Sequence, residues 1–173
     1  MKQTIGVLGA GTMGAGIAQV AAQSGHSVVL VDLNADQLER AKSNLAKTLS
    51  KLIEKGKITE AQKNEIESRI QYSSDINDFA SCSLIIEAIV EDLVIKHKVF
   101  ESLEKVVSEN CILASNTSSL SIASIGSVLK NAKRVIGIHF FNPAPLMPLV
   151  EVIPAVQTSS GTLNESVELI KSW

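Results

Sequence analysis

Residues 4–16 read Thr4-Ile5-Gly6-Val7-Leu8-Gly9-Ala10-Gly11-Thr12-Met13-Gly14-Ala15-Gly16. A short apolar run meets a cluster of glycines, and an alanine-rich helical pattern follows at once. A second apolar run, Val28-Val29-Leu30-Val31, ends on Asp32. Strand, glycine turn, helix, second strand and terminal acid in this order form the dinucleotide-binding fingerprint in its required context. Gly9 permits the tight turn, Gly11 lets the backbone approach a pyrophosphate, and Gly14 lets the helix pack closely on the strand. The free N–H groups at the helix start hold the phosphates, so Ala10, Thr12 and Met13 join the three glycines as cofactor-binding candidates. Asp32 accepts hydrogen bonds from a ribose diol and would repel a 2′-phosphate. No arginine follows it (Leu33, Asn34, Ala35), which points to NAD(H) rather than NADP(H).

The remaining sequence bounds what else the chain can be. Its 173 residues suit one domain with a substantial core. Apolar residues make up 45% but aromatics only 3%, so that core must be built from Ala, Val, Ile and Leu. A formal net charge of -2 gives no reason to expect nucleic acid or a membrane surface as partner. No apolar stretch approaches the roughly 20 residues of a membrane span. The first strand begins at once, so no secretory signal is expected and a cytoplasmic location is. Cys82 and Cys111 lack any metal-ligand spacing and read as reduced core thiols, and no metal site is expected.

Apolar runs alternate with longer amphipathic stretches, the pattern of an α/β fold with a doubly wound, mostly parallel sheet. Strands are expected at about 3–8, 27–32, 70–73, 84–88, 111–115, 134–139 and 149–153. Helices are expected at about 12–24, 35–55, 59–68, 92–108, 119–125 and 161–172. The excursion between the second and third strands reads as two helices joined at Lys55-Gly56-Lys57, longer than one crossover needs. The last helix reaches Trp173 without a capping residue, so a further domain is expected beyond it.

Several segments could carry chemistry. Val135-Ile136-Gly137-Ile138 is an apolar strand ending in His139, at the rim where ligands bind in open parallel sheets. Three prolines (Pro143, Pro145, Pro148) make the next segment a rigid loop leading to Leu149-Val150-Glu151-Val152-Ile153. Glu151 is the only polar residue of that run and is expected to be buried with a partner, His139 being the plausible one. A carboxylate that fixes the tautomer of a histidine makes it a general base; the competing reading is a satisfied core histidine and an edge-strand glutamate. Ser115-Asn116-Thr117-Ser118-Ser119 follows another strand. Its short polar side chains suit a nicotinamide ribose or a substrate carbonyl, but Ser118 or Ser119 also suits a helix N-cap. Glu91 and Lys96 lie just after the strand Leu84-Ile85-Ile86-Glu87-Ala88 and could reach the cofactor, or be solvated. Lys47, Lys51 and Lys55 recur every four residues, a face for an anionic, phosphorylated tail or one relieved by Glu54 and Glu60.

Together, the glycine turn, Ser115-Asn116-Thr117-Ser118-Ser119-Leu120 and His139-Phe140-Phe141-Asn142-Pro143-Ala144-Pro145 through Leu149-Val150-Glu151-Val152-Ile153 resemble the N-terminal domain of the L-3-hydroxyacyl-CoA dehydrogenases. The short-chain 3-hydroxybutyryl-CoA type is the nearest in kind. The resemblance implies a Rossmann-type sheet with a helical-hairpin insertion after the second strand, NAD as cofactor and an acyl-CoA substrate of fatty-acid or butanoate metabolism. It implies His139 as general base, Glu151 as its paired acid, and Ser118 and Asn142 as substrate contacts. Glu91, Lys96, Asn116 and Ser118 would join the glycine turn and Asp32 around the cofactor. Thr48 and Lys55 would contact coenzyme A. The whole chain, 1–173, is read as the NAD-binding domain, without the family's C-terminal helical domain, which closes the cleft and supplies most of a homodimer interface. Pro148 stands where many members have lysine. Rival readings are a dehydrogenase for a free hydroxy acid or sugar acid, a non-catalytic NAD(H)-binding module, and a piece of a larger fatty-acid oxidation multienzyme.

Overall fold

The computed structural model describes residues 2–173. Strands β1 (Thr4–Leu8), β2 (Ser27–Val31), β3 (Ile70–Ser73), β4 (Leu84–Glu87), β5 (Ile112–Ser115), β6 (Val135–Phe140) and β7 (Val150–Pro154) form one seven-stranded sheet in the order β3-β2-β1-β4-β5-β6-β7. All neighbouring pairs are parallel except β6 with β7. The helices are α1 (Thr12–Gln23), α2 (Ala35–Glu54), α3 (Glu60–Ser68), α4 (Leu93–Val106), α5 (Ile122–Gly126) and α6 (Ser160–Lys171). The sheet buries one face under α1, α2, α3 and α6, and the other under α4 and α5. This is the expected doubly wound architecture, with α2 and α3 as the hairpin after the second strand. Strand order reverses between β1 and β4, so the crevice beyond their carboxyl ends is the natural ligand site.

Aliphatic packing dominates, as the composition requires. Helix α1 buries Gly14, Ile17, Ala18, Ala21 and Ala22 against the sheet. So small a face lets the helix axis approach the strands closely. The approach depends on the glycine turn. Gly9 has φ +102°, a conformation that L side chains rarely adopt. A Cβ added to Gly14 would overlap the carbonyl oxygen of Gly9. A Cβ on Gly11 would meet no protein atom within 4 Å, so the space beside that residue is open.

Two local expectations need correction. The helix expected from 119 begins at Ile122, and its N-cap is Ser121, whose Oγ accepts from the Ser124 N–H at 3.3 Å. Ser118 and Ser119 are therefore not the cap. Two 3-10 turns, Ile76–Ser81 and Ala132–Arg134, had no counterpart in the sequence reading, because segments this short show no helical periodicity. Cys82 and Cys111 are buried free thiols, and burial pushes both up to about 12, which leaves them inert.

His26 lies in the turn between α1 and β2, 3% exposed, and its Nδ1 accepts from the Gln3 N–H at 3.1 Å. Burial lowers its pKa below 6.5, so the folded chain holds it neutral while the unfolded chain binds a proton. The unfolded state then gains protons as pH falls through about 6.5, and this part of the stability is lost on acidification and restored above it. The melting temperature should therefore fall between pH 7.5 and 5.5, and His26→Asn should flatten that slope. Equal slopes for the two chains in thermal melts would refute the assignment. Gly14→Ala should cost about 1–3 kcal/mol through the overlap with Gly9, read as a lower urea midpoint.

Candidate active site

Strand register sets the site. On the α4/α5 face, paired positions run across the sheet from Leu8 to Glu87, Ser115, Gly137 and Ile153. Two residues beyond Gly137 on the same face comes His139, paired with Glu151 of β7. The polar residues at the carboxyl ends of β4, β5 and β6 thus share one face and one rim.

His139 and Glu151 meet. His139 Nδ1 lies 2.9 Å from Glu151 Oε2. The antiparallel return of β7 places them directly opposite one another, as the loop reversal predicted. Glu151 is not buried, however: its side chain is 49% exposed, against 17% for His139. The edge strand β7 has no neighbour beyond it to cover that carboxylate. The Phe141 ring packs on His139, their centroids 4.8 Å apart.

A cavity of about 320 Å³ brings together Met13, Glu91, Lys96, Ser118, His139 and Asn142, with Asn116 also on its wall. Asn116 Oδ1 accepts from the Phe140 N–H at 2.8 Å, clasping the loop after β5 to the end of β6. Ser118 and Asn142 are exposed at the opening. Glu91 gathers the loop after β5, accepting from the Thr117 hydroxyl, from the Ser118 N–H at 3.1 Å and from the Ser119 hydroxyl at 3.3 Å. Partial burial pushes its pKa up, but the Thr117 hydroxyl, the Lys96 ammonium and the Ser118 N–H outweigh this and hold it below the ordinary carboxylate value.

Lys96 is not the solvated residue its helical position allowed. It is 1% exposed and ion-paired with Glu87 at 2.5 Å and Glu91 at 3.3 Å. Glu87 is a site residue that the sequence reading missed. A lone acid ending the apolar run Leu84-Ile85-Ile86 was the available signal, because a buried carboxylate needs partners.

At the glycine turn, Asp32 Oδ2 accepts from the Ala10 N–H at 2.7 Å and Oδ1 from the Asn34 N–H at 2.8 Å. Ala10 is itself buried, so its contribution is to anchor the acid beside the turn. Gly11 is the N-cap of α1 with no side chain capping it, which leaves the first N–H groups of the helix without a side-chain partner, next to the open space beside Gly11. A diphosphate fits there by charge and by room.

Thr48 lies apart from this cavity, in a second one of about 380 Å³ walled by α1, α2 and the proline loop, with Asn44, Gly16, Pro145 and Leu146. Lys55 lies just past the end of α2, as its C-cap, exposed, as are Lys47 and Lys51 on the helix. Glu60 pairs instead with Lys63, 3.8 Å away.

The family profile described as "3-hydroxyacyl-CoA dehydrogenase, NAD binding domain" matches residues 4–173. A probable 3-hydroxybutyryl-CoA dehydrogenase of Deinococcus radiodurans is 50% identical over 157 residues, which are 91% of this chain and 56% of that protein. A 3-hydroxyadipyl-CoA dehydrogenase of Escherichia coli is 42% identical over 171 residues, 99% of this chain and 36% of that protein. Among solved structures, a 3-hydroxybutyryl-CoA dehydrogenase from Escherichia coli superposes with TM-score 0.98 at 42% identity, covering 100% of this chain and 37% of that one. A (S)-3-hydroxybutyryl-CoA dehydrogenase from Ralstonia eutropha gives 0.96 at 42%, covering 99% and 61%. The chain thus spans roughly a third to three-fifths of these relatives' lengths. Profile, sequence and fold agree that the chain belongs to the 3-hydroxyacyl-CoA dehydrogenase family, as its NAD-binding domain.

Proposed function

We propose that this chain is the cofactor-binding and base-carrying part of an NAD-dependent dehydrogenase that interconverts an L-3-hydroxyacyl-CoA, of short chain, and the 3-ketoacyl-CoA. The observation that carries this reading is the His139–Glu151 pair at 2.9 Å, on the rim of the cavity that also holds Ser118 and Asn142. NAD, when bound, supplies the acceptor for the hydride that leaves C3 of the substrate.

The chain's own groups do the rest. With Nδ1–H donated to the Glu151 carboxylate, His139 keeps the lone pair of Nε2 for the proton of the C3 hydroxyl. Glu151 holds the ring in that tautomer and offsets the imidazolium charge as the proton arrives. Its exposure weakens the electrostatic part of that help and leaves the orienting part intact. Ser118 and Asn142 hold the reacting oxygen. Ser118 is exposed and its backbone N–H, not its hydroxyl, is what Glu91 engages. Gly9, Gly11, Thr12, Met13 and Gly14 cradle the diphosphate, and Ala10 fixes Asp32 on the ribose diol. Glu91, Lys96 and Asn116 line the nicotinamide half. Thr48 and Lys55 bind the coenzyme A portion along α2.

We further read residues 1–173 as one NAD-binding domain, the relatives' additional length being the helical domain that completes the cleft and pairs the protein as a homodimer. The two buried thiols suit a reducing cytoplasm.

In a chain extended to the relatives' length, His139→Gln should lower turnover of acetoacetyl-CoA by about two to four decades while NADH affinity stays nearly constant. Near-normal turnover would remove the histidine from its role. Asp32→Ala should do the reverse, raising the Kd for NADH with little effect on turnover at saturation. Acetoacetate in place of acetoacetyl-CoA should be a poor substrate, and equal rates would favour a free-acid dehydrogenase.

A further inference from the structure

Behind the wall of the cavity lies an ion pair almost wholly shut off from solvent. Glu87 and Lys96 are 0% and 1% exposed. Glu87 Oε1 accepts from Lys96 Nζ at 2.5 Å and from the Ile89 N–H at 2.8 Å, and Oε2 accepts from Ser115 Oγ at 2.7 Å. The Ser115 oxygen in turn accepts from the Thr117 N–H at 3.2 Å. One side chain therefore ties together the loop after β4, the end of β5 and helix α4, and through Ser115 it reaches the loop after β5. The ammonium it holds also reaches Glu91 Oε2, 3.3 Å away.

The formal charges of this cluster do not cancel. Two carboxylates face one ammonium, and no other ion pair reaches the group among the described residues. A single acid would compensate a buried lysine; the second, Glu91, keeps 39% of its side chain exposed and carries the surplus toward the cavity. The surplus negative charge stands at the wall of the cavity shared by Lys96, Glu91, Ser118 and His139.

We propose that this surplus charge, fixed by Glu87, favours the oxidised over the reduced cofactor. The oxidised nicotinamide ring carries a positive charge and the reduced ring carries none, so a fixed negative charge nearby stabilises the first selectively. Glu87 is on this account a positioning residue: it acts through Lys96 and Glu91 without touching cofactor or substrate. The inference rests on the reading of this cavity as the nicotinamide site.

Glu87→Gln isolates the charge, because the amide oxygen can still accept from Lys96 and Ile89 while its NH2 donates to Ser115. Dissociation constants for NAD+ and NADH, measured on this chain by calorimetry and NADH fluorescence, should show NAD+ weakened relative to NADH by about 3–10-fold, or roughly 0.6–1.4 kcal/mol. E87Q/K96M returns the cluster to one net negative charge and should bring the ratio back to within about twofold of wild type, though both affinities fall. A structural defect lowers both affinities together, so an unchanged ratio in E87Q, or no recovery in E87Q/K96M, overturns the proposal. Should circular dichroism show E87Q unfolded, E87Q/K96M compared with E87Q/K96M/E91Q makes the same charge step without a buried pair. The same shift is then expected, and its absence is equally decisive. Failure of wild type to bind either form would instead defeat the cofactor reading.

Discussion

Six parallel strands deliver their carboxyl ends to a single rim, and the two-residue period of a strand decides which side chains stand there together. Everything chemical in this chain follows from that constraint. Glu87, Ser115 and His139 come from three strands separated by long crossovers, yet parity puts them on one face. A slip of one residue in β5 or β6 would send Ser115 or His139 into the aliphatic layer under α1, where nothing could satisfy it. The buried ion pair below the rim and the hydrogen-bonded imidazole at its lip therefore depend on the same register.

The rim also shows how side chains hold the loops where the sheet ends. Glu91 binds the loop after β5 by its hydroxyls and N–H, and Asn116 binds that loop to Phe140. Neither contact belongs to sheet or helix. Each nonetheless ties a strand-end loop to its neighbour, so the cavity wall is held by side chains where regular backbone pairing stops. Cavity-lining residues thus carry structural duty as well, and replacing them changes shape along with chemistry.

Much of this was legible beforehand, for identifiable reasons. The glycine corner forces one local geometry, and the strands are apolar runs broken by turn residues, so elements fell within a residue of their expected limits apart from the fourth helix, which ends two residues early, and the start of the fifth. The pairing of positions 139 and 151 followed from a proline-stiffened loop that must reverse the chain. Burial was less legible. Glu151 read as enclosed because its neighbours are apolar, yet an edge strand leaves one side open. Lys96 read as either a cofactor contact or a solvated lysine, and neither reading foresaw that its charge is taken inward by Glu87. The same rule about lone acids in apolar strands applied to both glutamates; only the sheet order says that β4 is central and β7 peripheral. Short 3-10 turns and the shift of the helix cap to Ser121 depend on local hydrogen bonding that no periodicity records.

The end of α6 carries a practical consequence. The one tryptophan of the chain, Trp173, lies between the imidazole of His26 and the ring of Phe140, with centroid separations of 5.6 and 5.9 Å. Phe140 is the residue whose backbone is clasped by Asn116. Emission from that indole thus comes from a single spot that borders both a proton-sensitive turn and the strand bearing His139. The molecule contains its own optical gauge, readable without any attached dye.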